Sequence, residues 1–146
     1  MLIHFVRNGP SYLPELEAYA AFIASQGHQA DIHDTSATVP NDAQVVWWIC
    51  GRVSHLEQHR LKHAFHIHEY SSSSVPPHAW LKDQVKRITQ PQPDYRVFQN
   101  PWVRERMGFS SRVPSCLRDM GIAPAFFEPP THVIPKEFDL VYLGEM

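Results

Sequence analysis

The run Val45-Val46-Trp47-Trp48-Ile49-Cys50, closed by Gly51, restricts the fold more than any other part of the chain. Successive side chains of a strand point to opposite faces, so an unbroken apolar run leaves neither face for water. Strands of this kind are covered on both sides, as in parallel sheets with helices in two outer layers. Adjacent Trp47 and Trp48 then enter opposite layers of the core.

The flanking sequence supplies the crossovers that parallel strands need. Residues 2–6 read as a short buried strand ending in the turn Arg7-Asn8-Gly9-Pro10-Ser11. Apolar residues then recur at Leu13, Leu16, Tyr19, Ala20, Phe22 and Ile23 with a helical period, and Gly27 stops that helix. Residues 29–33 make a second strand, completing a βαβ unit, and a polar loop follows through Pro40 and Asn41. Residues 53–62 are polar and helix-compatible, and a histidine-rich strand covers 63–68. Trp80, Leu81, Val85 and Ile88 mark the apolar face of a further helix, with Lys82, Lys86 and Arg87 on its other side and Pro76 and Pro77 at its start. Residues 94–99 form the next strand, and Asn100-Pro101 is an N-cap followed by a proline at the first helical position of a helix that Gly108 ends. Beyond it the chain is proline-rich and aperiodic, with Val113, Ile122, Phe126 and Phe127 as isolated anchors, until residues 138–144 read as a last strand. The expected fold is α/β: a Rossmann-like three-layer sandwich with a mainly parallel sheet.

Composition excludes several classes of function. A formal net charge of -2 over 146 residues gives no basic footprint for duplex DNA, so nucleic acid is a poor partner. The two cysteines, Cys50 and Cys116, are too far apart in sequence for a metal knuckle and too few for a disulfide framework, which fits a reducing cytoplasm. The apolar N-terminal stretch turns polar by Arg7-Asn8, far too short for a signal or a spanning segment.

Chemistry concentrates in Phe65-His66-Ile67-His68-Glu69-Tyr70 and the serines at 71–74, where a strand runs out into a polar loop. His66 and His68 share one face of that strand and Phe65 and Ile67 the other, an arrangement suited to general-base chemistry or ligand binding at a cleft. The same imidazoles are equally readable as hydrogen-bonded structural residues, or with Glu69 as the start of a zinc site whose other ligands would come from His4, His33 or His63. In an open α/β sheet ligands collect at the carboxyl ends of the strands. The Asn8-Gly9 turn and the segment from His66 to Ser74 both fall there.

From Phe65 to Met107 the order of a His-Glu-Tyr strand end, polar loop, basic helix and Asp-Tyr-Arg-Val-Phe-Gln-Asn-Pro junction resembles the amino-terminal domain of GT-B glycosyltransferases, in particular the retaining family 4 group. Arg118-Asp119-Met120-Gly121-Ile122, then Phe126-Phe127 and Phe138-Asp139-Leu140-Val141-Tyr142-Leu143-Gly144-Glu145, resembles the stretch that leaves the first domain and opens the second. The resemblance implies an acceptor-side domain over residues 1–135 and the start of a donor-binding domain at 136–146. It implies transfer of a sugar from a nucleotide-sugar donor to a hydroxyl of a glycan or glycolipid, in a cytoplasmic enzyme that works at the inner face of a membrane. There is no cofactor or metal in this reading, and the chain is inactive without its second domain. By the family pattern His68 lies near the reacting sugar, with Glu69 orienting it and Asn8, Gly9, His66 and Ser71 binding substrate. The first loop departs from the pattern in having one glycine where many relatives have more. Two rivals make different predictions: a free-standing α/β binding or signalling module, whose residues 136–146 complete the sheet, and a small metal-dependent hydrolase built on His66, His68 and Glu69.

Overall fold

The computed structural model describes residues 1–7, 9, 13–49, 53–74 and 77–118. Within them the chain forms one six-stranded, all-parallel sheet: β1 (Leu2–Arg7), β2 (Gln29–His33), β3 (Val45–Ile49), β4 (Phe65–Tyr70), β5 (Tyr95–Phe98) and β6 (Ser115–Leu117). The spatial order is β2-β1-β3-β4-β5-β6, and every pairing is parallel. Helices α1 (Pro14–Ser25), α2 (His55–Arg60), α3 (Ala79–Thr89) and α4 (Pro101–Met107) make the crossovers, and a 3₁₀ turn spans Ser36–Thr38.

The apolar faces are shared unequally. Leu16 and Ile23 of α1 pack with Ile3, Phe5 and Ile49 on one side of the sheet. On the other, Val6, Val46 and Trp48 meet Val39, Val53 and Leu61, while Tyr70 and Phe98 meet Val103 and Met107 of α4. Helices on both faces make the Rossmann-like three-layer sandwich expected from the unbroken apolar run at β3. Trp47 and Trp48 enter opposite layers, as their adjacency requires.

Local signals set the helix limits. Ser54 and Glu57 form a reciprocal capping box, each side chain accepting the other's backbone N–H, so α2 starts there although its own residues are weakly periodic. The Asn100 side chain accepts the Val103 N–H at 2.9 Å, Pro101 opens α4, and Gly108 closes it in the left-handed region at φ 56°.

Three elements depart from the sequence reading. The histidine strand runs Phe65–Tyr70 rather than 63–68, because residues 61–63 still form the turn that closes α2. A sixth short strand, Ser115–Leu117, pairs with β5 inside a stretch whose prolines hide any period. Most informative is α3. Trp80, Leu81, Val85 and Ile88 face solvent, and its buried residue is Asp83, which accepts the Ser74 N–H at 3.0 Å and meets Arg106 Nε at 3.4 Å. Buried charge anchors this helix, and its apolar stripe is turned outward. Asn8, Gly51, Arg52, Pro76 and everything beyond Arg118, including the expected 135/136 boundary and the expected strand at 138–144, lie outside the described residues. No helix among the described residues is long and apolar enough to cross a membrane.

Candidate functional site at the carboxyl ends of the strands

The connection from β1 runs outward to β2, and from β3 onward the chain builds the sheet in the opposite direction. The switch point therefore lies between β1 and β3, with β4 next to it. In doubly wound sheets the crevice outside the strand ends at such a point is where ligands bind. Arg7, Ile49, Glu69 and Tyr70 end the three strands there.

Strand β4 divides the candidate residues by parity. His66, His68 and Tyr70 point to the side of α2 and α4, and Glu69 points to the side of α1. The His66 ring is fully used. The Trp48 indole can only donate, so its N–H at 3.1 Å requires a lone pair on His66 Nδ1. The Leu61 carbonyl can only accept, so His66 Nε2 carries the proton and donates at 3.0 Å. Burial lowers its pKa, although that carbonyl and Asp94 oppose the shift. No lone pair or proton of His66 is left for a substrate.

His68 does not sit on a rim. It is 1% exposed, edge-on to Trp48 and Tyr70, with Nδ1 3.4 Å from the Tyr70 hydroxyl and Nε2 without a hydrogen-bond partner among the described residues. Burial first, then the neighbouring His66 and Arg96, pushes its pKa down to about 3. It is neutral and enclosed at physiological pH. The expected presentation of His68 and His66 to a groove is corrected, because both rings are buried on the face where Val53 and Leu61 pack on Val46 and Trp48. Glu69 cannot orient His68 or share an ion with it from the opposite face.

Glu69 itself is the centre of a polar cluster under the strand ends. It is 1% exposed, and both oxygens are engaged. Oε1 receives Arg118 Nε at 2.7 Å and Nη2 at 2.5 Å, while Oε2 accepts Trp47 Nε1–H at 2.9 Å and the Tyr19 hydroxyl at 3.2 Å. Burial raises the Glu69 pKa despite these charge-stabilising partners. Burial opposes the charge of Arg118 in turn, but Glu69 and Tyr19 more than offset it and the guanidinium stays charged. Arg118 lies over the Tyr19 ring at 5.6 Å, reaches Glu15 at 3.8 Å and lies 3.5 Å from Ser71 Oγ. Its side chain is 13% exposed, so these partners hold the guanidinium largely out of water. Among the described residues, half-buried Ser71 is the one expected binding residue that the structure brings to the Glu69 cluster.

Gly9 stands beyond the end of β1 with φ 78°, and its N–H donates to the Asp34 carbonyl at 3.1 Å. An added Cβ would meet nothing within 4 Å, so glycine is required there by backbone conformation rather than by a close approach. Arg7 Nε donates to Asp34 Oδ1 at 2.6 Å and fixes the same corner. Sequence reasoning missed Tyr19, Trp47 and Arg118 as members of the cluster. Parity carried a signal for Trp47, which pairs with Ile67 and so shares the face of Glu69. Nothing local marks Arg118, which reaches the cluster only because β6 joins the sheet.

No family model, curated protein or solved structure matches the chain. Fold and site together define a doubly wound α/β domain with a polar, aromatic-backed cluster at the carboxyl end of its sheet.

Proposed function

We propose that this domain is the acceptor-side lobe of a nucleotide-sugar glycosyltransferase, acting with a donor-binding lobe to transfer a sugar to a hydroxyl of a glycan or glycolipid. The observation that carries the reading is Arg118 clamped by buried Glu69 at the strand ends, beside the Ser71 hydroxyl and the Glu15 carboxylate. Such a set suits a polyhydroxylated acceptor: Arg118 and Ser71 donate to sugar oxygens, Glu15 accepts from sugar hydroxyls, and fixed geometry keeps their ordering cost low. Glu69 is a positioning residue in this scheme and does not touch the substrate. His68 has no role in it.

Lipid-linked acceptors require approach to a membrane surface, and α3 supports that arrangement. It presents Trp80, Leu81, Val85 and Ile88 outward, the last 77% exposed, beside Lys82, Lys86 and Arg87. An exposed apolar stripe flanked by basic residues is the pattern of a helix that lies in the interface of anionic lipid. The adjoining pocket, lined by Ser72, Ser73, Ser74, Leu81 and Lys82, joins this surface to the loop that carries Ser71.

The test is release of nucleoside diphosphate by the complete polypeptide, over a panel of nucleotide-sugar donors with saccharide and lipid-linked acceptors. The domain alone gives no turnover. In the complete protein Arg118→Gln lowers kcat/KM at least tenfold with retained fold, and Trp80→Ser with Ile88→Ser abolishes sedimentation with anionic vesicles. Absence of donor turnover across the panel contradicts the transferase reading. Unchanged vesicle binding in the double variant contradicts the membrane contact alone.

A further inference from the structure

Away from the strand-end cluster, on the opposite face of the sheet and at its β2 edge, three metal-ligand side chains converge. His4 of β1 and Asp31 of β2 are direct cross-strand partners, and His33 lies two residues further along β2 on the same face. One ligand atom from each falls within 4.8 Å of the other two. His4 Nδ1 lies 3.0 Å from His33 Nε2 and 4.0 Å from Asp31 Oδ2.

Hydrogen bonding sets the tautomer that a metal needs. Thr38 donates its single hydroxyl proton to the Thr35 carbonyl at 3.0 Å, so its oxygen can only accept from His33 Nδ1 at 2.8 Å. His33 Nδ1 therefore carries the proton, and Nε2 turns a lone pair toward His4. This is the outer-shell arrangement that orients metal-bound histidines, with the ring's second nitrogen donating to a fixed oxygen.

We propose that His4, His33 and Asp31 bind a single divalent first-row transition ion, with Zn²⁺ as the chemical match. Two imidazoles and one carboxylate with a water in the fourth position is a standard zinc donor set, with bonds of about 2.0–2.2 Å. Tetrahedral bonds of that length separate ligand atoms by about 3.3 Å, so the histidine nitrogens need to part by only a few tenths of an ångström. Asp31, whose side chain is 57% exposed, swings in to close the third bond. The His4 proton moves from Nδ1 to Nε2 as the ion binds. Bound metal would tie edge strand β2 and the Ser36–Thr38 turn to β1.

The experiment is calorimetric titration of tag-free protein with Zn²⁺, with Mg²⁺ as the hard-cation control and thermal unfolding as a second readout. One Zn²⁺ per chain at micromolar affinity, with a raised Tm and no response to Mg²⁺, is the expected result. His33→Gln and Asp31→Asn, both on accessible side chains, each weaken binding at least tenfold, whereas His59→Gln and His63→Gln leave it unchanged. His4→Gln is not needed for the decision, because ¹⁵N shifts of the His4 ring report its tautomer change directly in the unmodified protein. No binding, or binding that survives in the His33→Gln/Asp31→Asn double variant, overturns the proposal.

Discussion

The two faces of β4 use polar residues in opposite ways. On the α1 side, Glu69 takes four donor contacts and holds the Arg118 guanidinium at the strand ends beside Ser71 and Glu15. On the opposite face, His66 is satisfied inside the core and His68 is enclosed with one nitrogen unpartnered among the described residues. A side chain becomes available to ligand according to what covers its face. The chemistry of the residue does not decide it.

Removing Glu69 should have the largest effect. Glu69→Ala leaves Arg118 charged and largely enclosed and strips partners from Trp47 and Tyr19, at a cost of about 3–5 kcal/mol in denaturant unfolding. A loss below about 1 kcal/mol would mean that the clamp is not formed in solution. The next effect belongs to His66. His66→Leu orphans the Trp48 N–H and the Leu61 carbonyl and should cost about 2–3 kcal/mol.

Acid sharpens the contrast. His68 binds its proton near pH 6.5 when unfolded and only near 3 when folded, so below pH 6.5 the unfolded chain holds more protons and stability falls with falling pH. Each such imidazole contributes a slope of about 1.4 kcal/mol per pH unit in that window. Glu69 has the opposite sign: its folded pKa is raised, so its contribution is lost as pH rises through the window above the unfolded value. Unfolding followed from pH 7 to pH 5 should therefore show a destabilising slope that His68→Leu reduces by one proton. An unaltered slope in that variant would show that His68 titrates normally. At pH 7 the same substitution should change stability by less than about 1 kcal/mol, since an apolar side chain in that enclosure leaves little unpaired.

Much of this was readable from the chain. The apolar run at β3 specified parallel pairing and two covered faces, and Asn100-Pro101 and Gly108 bounded α4. Strand parity placed His66 and His68 on one face, yet Glu69 was still read beside them as the start of a zinc site, a grouping that its position on the opposite face of β4 does not allow. Which face would be sealed was not readable, because the residues that close it come from separate segments: Val39, Val53 and Leu61 on Trp48, and Val103 and Met107 of α4 on Tyr70. The outward stripe of α3 was hidden for a related reason: its periodicity marks an apolar face correctly, but the Asp83–Arg106 contact decides which way the helix turns. Arg118 was out of reach because the three-residue strand that delivers it has no periodic signal. His4 and His33 were visible only as scattered histidines until β1 and β2 were in register.

The most direct measurement is an NMR pH titration of the assigned imidazole resonances in the folded protein between pH 8 and pH 5. His68 should keep the shifts of a neutral ring throughout, and His66 should hold its Nε2-protonated tautomer at neutral pH. A His68 midpoint near 6.5 would place that ring in contact with water, return it to the candidate site, and contradict the division of labour across β4.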